Sequence, residues 1–402
     1  MSGVPILCWI VINSVPYHEA RLRAAADRTG LHPCMIQLAG IDDFQPLRQS
    51  KMGRTIRRRI LFPDRPWSAI NGRDMVRRLN ACLGELNPAI VCINGWSFGG
   101  SLAALAWCLS HHVPAIVMSE STAMDGPRLW WKEAIKRRMV GLCSAALVGG
   151  VRHRDYLRAL GANPDRIFTA YDVVDNEHFR CGAETARQFE QQMRRRLGLP
   201  ARYFMACSRF TAKKNLAGLL HGYALYRRAA GPAAWSLVII GEGELQEELL
   251  LLRDRLGLGT HVQFPGSKSY RDLPTYYGLA SAFVHASTAE QWGLVVNEAM
   301  ASGLPVLVSD RCGCAGDLVE PGVNGFLFDP CDADALAAVM RDIAADSCDR
   351  QAMGRASEEI IARWSPDHFA ENLFRAAEVA LAAGRPMPSM TDRALLWMLR
   401  TR

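Results

Sequence analysis

No apolar run in this chain reaches the length of a membrane span. Val4 to Ile12 is about nine residues, against the roughly 20 that a helix needs to cross a bilayer, and it suits a buried first strand. No cationic segment precedes it and no small-residue cleavage site follows, so it does not read as a secretory leader; the expected location is cytoplasmic. There is no low-complexity tract. No G-x-G-x-x-G follows the first strand, which disfavours a dinucleotide dehydrogenase. The twelve cysteines lack metal-binding spacing. Cys8, Cys92, Cys108, Cys143 and Cys207 stand singly in apolar segments, where free thiols pack as small hydrophobes. Cys312 and Cys314 form a C-x-C without a second pair. No recognition motif for nucleic acid accompanies the basic residues, so nucleic acid is not an expected partner.

What is present is ample material for two cores: 402 residues, 49% hydrophobic and 22% charged. Strand and helix patterns alternate. Leu7–Asn13, Ala89–Ile93, Pro114–Met118 and Ala145–Val148 read as strands in the first half, with helices at Tyr17–Thr29 and Ser101–His112. The second half repeats the design with strands at Tyr203–Cys207, Trp235–Ile240, His261–Phe264, Ala282–His285 and Val306–Val308. Such alternation predicts α/β architecture, with parallel sheets covered on both faces. The reading divides the chain into residues 1–185, residues 200–363, and a C-terminal helix and tail at 364–402. A polar helical link, 184–196, ends at Gly198-Leu-Pro200. Ser365 and Pro366 supply the cap and first position of the last long helix.

The net charge of +7 is unevenly placed. Arg48, Lys51, Arg54, Arg57, Arg58 and Arg59 form one cluster. A second, Arg128 to Arg138, is amphipathic at helical spacing and contains Trp130 and Trp131. Solvated surface and contact with an anionic membrane or acidic glycan are the competing readings.

Chemistry concentrates in Ala286-Ser-Thr-Ala-Glu290-Gln-Trp-Gly293-Leu-Val-Val-Asn-Glu298-Ala-Met-Ala-Ser-Gly303-Leu-Pro305. Its two glutamates lie eight positions apart. Glu290 falls in the loop after a strand and Glu298 in the following helix, the edge at which open parallel sheets bind ligands. This stretch resembles the paired-glutamate motif of retaining glycosyltransferases of family four. The resemblance implies the GT-B fold, in which two Rossmann-like domains face each other across a cleft and the last helix crosses back to the N-terminal domain. It also implies transfer of a hexose-type sugar from a nucleoside-diphosphate sugar to a glycan or lipid-linked acceptor, with retention and without a metal or other cofactor. Bacterial relatives commonly build surface polysaccharides, by analogy at the inner face of the membrane with peripheral contact.

Ser208-Arg209-Phe-Thr-Ala-Lys213-Lys214-Asn215 is similar to the Arg and Lys with which the family grips the donor pyrophosphate, giving Arg209 and Lys214. Fixed cations would offset the charge that develops on the departing diphosphate, Arg as a planar fork and Lys as a point charge. By the same resemblance Glu290 lies near the donor sugar and Glu298 holds the ribose. The backbone of Gly293, Leu294 and Val295 contacts pyrophosphate, and Gly241 and Gly243 line the donor site. Asp332-Ala-Asp334 fits a metal-binding D-x-D, but at the start of an Ala-rich helix its acids read as caps.

The first half departs from the family. No paired-glycine loop follows the first strand, where Asn13-Ser14-Val-Pro16-Tyr17-His18 stands instead. Glu120 occupies the position where many members have histidine; it reads equally as a contact or general base and as a helix cap. His18, Asn94 and Trp96 are acceptor-side candidates, with core or capping roles as the alternative. A nucleotide-sugar epimerase, a phosphorylase and a non-catalytic sugar-nucleotide binder remain open as alternatives.

Overall fold

The computed structural model describes residues 4–28, 30–41, 57–384 and 386–401. Arg48, Lys51 and Arg54 of the first basic cluster lie outside them. The chain divides into two compact units, residues 1–173 with 366–402, and residues 174–365.

The first unit is built on a seven-stranded sheet. Its strands are β1 (Ile6–Val11), β2 (His32–Ile41), β3 (Arg57–Pro66), β4 (Ile90–Asn94), β5 (Ala115–Ser119), β6 (Ala145–Val148) and β7 (Ile167–Phe168). They run in the order β3-β2-β1-β4-β5-β6-β7, and every pairing is parallel. Helices cover both faces, so β4, β5 and β6 are continuous apolar runs, closed by Asn94 in β4 and Ser119 in β5, rather than alternating. The edge strand β3 opens on Arg57, Arg58 and Arg59, all exposed; charged side chains on an edge discourage pairing with a second chain.

The second unit carries a six-stranded sheet. Its strands are β8 (Tyr203–Cys207), β9 (Ser236–Ile240), β10 (Val262–Gly266), β11 (Ala282–His285), β12 (Val306–Ser309) and β13 (Gly325–Phe328). Their order is β10-β9-β8-β11-β12-β13, also all parallel. In each sheet the winding reverses beside the first strand, between β1 and β4 and between β8 and β11. Those reversals open the crevices in which such sheets hold ligands.

The helix Asn176–Gln188 packs in the second unit. Asp175 caps it by accepting from His178 N at 3.1 Å. Arg187, near its end, donates to the carbonyls of Gly278 (3.1 Å) and Ser302. The chain therefore changes units at 173 to 174, ahead of the expected boundary at 185. The last long helix, Pro366–Ala383, returns to the first unit, as the resemblance implied. It buries Phe369, Ala370, Leu373, Ala376, Ala377 and Ala380, a single helical stripe. Phe369 lies 5.8 Å from the Trp9 ring and 6.4 Å from that of Tyr171; full burial of such a ring contributes roughly 1.5–3 kcal/mol.

Candidate functional site

In the second unit the switch point is formed by the loops leaving β8 and β11. After Cys207 the chain passes Ser208 and the exposed Arg209, makes a short turn at Ala212–Lys214, and enters the helix Leu216–Ala230. Asn215 stands at the junction in the left-handed region, at φ 51°, a conformation asparagine tolerates better than most residues. Its side-chain amide donates to the carbonyls of Ala286 (3.2 Å) and Pro330 (2.7 Å). Thr288 N donates to the Lys213 carbonyl at 2.9 Å. The cationic loop is thereby pinned to the β11 loop.

Lys214 Nζ bonds Glu290 Oε2, both side chains largely buried. The same oxygen meets His285 Nε2 and accepts from Ser287 Oγ, each at 3.3 Å. Burial raises the Glu290 pKa, but its bonds to His285 and Lys214 more than offset this and hold the carboxyl below its usual range. Burial lowers the pKa of His285, with Glu290 acting in the opposite sense. The arrangement is a carboxylate that receives a neutral imidazole N–H, a hydroxyl and an ammonium, and it aims the ammonium. His285 and Ser287 were not singled out in the sequence, because a histidine closing an apolar strand reads as core.

Gly293, at φ 109°, turns the chain into the helix Leu294–Ala301, whose opening N–H groups have no carbonyl one turn back. Glu298 is buried in that helix and accepts from Tyr277 Oη at 2.7 Å. Gly241 and Gly243 serve close packing: a Cβ on Gly241 would lie 1.9 Å from the Ser208 carbonyl oxygen, and one on Gly243 would lie 2.7 Å from the Phe210 backbone. These two glycines bring the β9 loop against the loop that carries Arg209. Asp332 caps the helix Ala333–Ala344 by accepting from Asp334 N (3.0 Å) and Ala335 N (2.9 Å), so the D-x-D acid does the work of a helix cap.

In the first unit Asn94 and His18 gather around Trp9. Trp9 Nε1 donates to Asn94 Oδ1 at 2.9 Å, Tyr171 Oη donates to the same oxygen at 3.5 Å, and the His18 ring meets Trp9 edge-on at 5.1 Å. His18 Nδ1 also accepts from Val15 N at 3.4 Å, closing the first turn of the helix Pro16–Ala26, and burial lowers its pKa to about 3. Trp96 goes elsewhere, packing with Val140, Tyr156 and Leu160. Glu120 starts no helix, since the next begins at Trp130. Its charge bears on the buried Asp172.

The buried Arg21 completes this group. Its Nε and Nη2 donate to the Val173 carbonyl at 3.1 and 3.0 Å, its guanidinium stacks 4.8 Å from the Tyr171 ring centre, and Nη2 lies 3.8 Å from Asp172 Oδ1. Burial, then the charge of Glu120, raises the pKa of Asp172, against the pull of Arg21. A carboxyl raised in the folded state contributes its stability fully below the ordinary carboxylate range and loses it as pH rises through the folded value. Asp172→Asn does not titrate, so its stability relative to the native chain should improve from about pH 5 to about pH 8. Urea unfolding at both pH values checks this; a constant difference would contradict it.

The profile of the family described as glycosyl transferases group 1 matches residues 189–360. A GDP-mannose-dependent alpha-(1-6)-phosphatidylinositol monomannoside mannosyltransferase from Mycolicibacterium smegmatis is 30% identical over 222 residues, which cover 52% of this chain and 56% of that protein. D-inositol 3-phosphate glycosyltransferase 1 from Catenulispora acidiphila is 32% identical over 244 residues, 58% of this chain and 57% of that one. The chain thus spans little more than half the length of these relatives. Among solved structures, sucrose-phosphate synthase from Thermosynechococcus elongatus matches with a TM-score of 0.73 at 20% identity, over 94% of this chain and 100% of that one. Anabaena HepE in complex with UDP matches with a TM-score of 0.71 at 17% identity, over 92% and 98%. Identities this low speak to fold alone, and the fold is GT-B. Residues 189–360 thus resemble the glycosyl transferases group 1 family.

Proposed function

We propose that the protein is a retaining, metal-independent glycosyltransferase that moves a hexose-type unit from a nucleoside-diphosphate sugar to a glycan or lipid-linked acceptor. The observation that carries this reading is the Lys214–Glu290 bond at the switch point of the second sheet, with Arg209 on the same loop. As the bond from the anomeric carbon to the diphosphate breaks, the electron pair leaves with the diphosphate, and fixed cations offset its charge. The acceptor hydroxyl oxygen forms the new bond and gives up its proton to a base. In this reading Arg209 and Lys214 bind the diphosphate together with the N–H groups of Gly293, Leu294 and Val295. Glu290 holds Lys214 and contacts the transferring sugar, and Glu298 holds the ribose. Glu120, with His18 and Asn94 nearby in its unit, serves the acceptor side. The mannosyltransferase named above uses GDP-mannose and HepE was crystallised with UDP; both support a nucleotide-sugar donor without fixing the base. No helix among the described residues is long and apolar enough to cross a membrane, so a lipid-linked acceptor would be met by peripheral contact.

The test is transfer from a panel of UDP- and GDP-sugars to glycan and lipid-linked acceptors, with the anomeric configuration of the product read by NMR. The expected result is a retained linkage formed equally well in excess EDTA. An absolute requirement for a divalent cation, an inverted product, or an epimerised nucleotide sugar released without acceptor would each overturn the proposal.

A further inference from the structure

The helices Trp130–Gly141 and Met390–Leu399 present to solvent the side chains that a folded chain ordinarily hides. On the first, Trp130 is 82% and Trp131 47% exposed, and Leu129 is exposed just ahead of them. Its first turns pack on a polar cluster, while Ile135, Met139 and Val140 enter the core. Tyr156 Oη donates to Glu133 at 2.8 Å and accepts from Lys136 Nζ (2.9 Å) and Arg128 Nη1 (2.7 Å). On the second helix Met390, Ala394, Trp397 and Met398 are exposed while Leu396 is buried. Their spacings of four, three and one place them on one stripe, with Met390 81% and Trp397 66% exposed. The helices are joined. Arg138, two turns beyond Trp131 on the same side, donates to Asp392 Oδ1 at 2.8 Å and Thr391 Oγ1 at 3.0 Å, directly beside Met390.

The charge on these helices has one sign once internal pairing is counted. Glu133 is engaged by Lys136, Arg128 and Tyr156, and Asp392 by Arg138 and Ser389. The exposed Lys132, Arg137 and Arg393 make no ion pair with a described residue; the Lys132 ammonium lies 5.3 Å from the Trp131 ring centre.

We propose that these two helices form a docking face for the surface of a bilayer rich in anionic lipid. Tryptophan settles at the headgroup level with its apolar body inward and its N–H in water. The unpaired cations add attraction to anionic headgroups that fades with salt. A second copy of the chain is the less suitable occupant, because it would bring the same cations against this face. The inference gives a location to the peripheral contact proposed above, and lipid binding is read without turnover, so the two readings can fail separately.

The full chain should co-sediment with vesicles of equal parts phosphatidylcholine and phosphatidylglycerol, weakly with phosphatidylcholine alone, and less as salt is raised. Trp130→Ser with Trp131→Ser, and separately Trp397→Ser with Met398→Ser, should each lower the partition coefficient roughly tenfold. Leu251→Ser, an exposed apolar change in the second unit, should leave it unchanged, and transfer to a water-soluble acceptor should survive all of these. No binding to the mixed vesicles, unaltered binding by both double variants, or a salt-stable dimer that the same substitutions dissolve would overturn the proposal.

Discussion

Replacing Lys214 by alanine should lower kcat/KM for the donor by about 10²–10³, the range seen when one donor to a developing oxyanion is removed. The loss should fall mainly on kcat, because the diphosphate is most negative as it leaves. Arg209→Ala should behave alike, with a larger share in KM, since Arg209 is exposed and in the proposed role would also meet ground-state phosphate. One confounding cause can be separated. Without its ammonium partner, Glu290 would be a largely buried carboxylate held only by His285 and Ser287, and the loop could suffer from the stranded charge. Lys214→Met combined with Glu290→Gln removes that charge. Unfolding temperature should recover in the double variant while kcat stays low. Recovery of both would mean that Lys214 only neutralises Glu290, and the assignment of the cation to the diphosphate would fall.

Arg21→Leu should destabilise the first unit by about 3–5 kcal/mol, the cost of removing one member of a buried polar pairing. Three contacts go at once: the two-pronged donation to the Val173 carbonyl, the stack on Tyr171, and the cation facing Asp172. At a few degrees per kcal/mol for a unit of this size, Tm should fall by about 10 °C. Arg21→Lys should regain only part, since an ammonium reproduces the charge but neither the fork nor the planar stack. A leucine variant whose Tm stays within about 2 °C of native would show that Val173 and Asp172 are satisfied without Arg21.

The contrast between these residues explains what could be read in advance. Arg209, Lys214, Glu290 and Glu298 could be singled out because each lies in a short motif beside a strand or helix with an unambiguous pattern, and the structure joins Lys214 to Glu290. Arg21 was not, because a helix rich in Arg and Ala suggests a solvated face, and nothing local says that this arginine reaches the chain at Val173. The surroundings of Asp172 were hidden for the same reason, being assembled from Glu120 and Arg21, far away in sequence. Strands β8, β9 and β11 were read close to their true limits, being short apolar runs bounded by turns. Strand β2 was missed, as Pro33 follows its first residue and Gln37 interrupts its apolar run. Strand β3 was hidden by its opening arginines, and β7, at two residues, is too short to show any period. Trp96 was singled out because it follows β4; its packing on Val140 and Leu160 is a preference that spacing does not encode.

The return of Pro366–Ala383 to the first unit has a consequence for synthesis on the ribosome. Domains usually condense in the order in which they emerge. Here the sheet of the first unit must wait for Phe369 and Leu373, made only after the whole intervening unit, before its apolar layer around Trp9 is closed. The intervening segment has no such wait: Asn176 Nδ2, near its beginning, bonds the carbonyls of Ile361 (3.0 Å) and Trp364 (3.3 Å) at its end, so it can close on itself as soon as it is complete. The half born second is thus set to mature first, and a nascent chain stalled short of residue 366 would leave the older half exposed to chaperones and proteases.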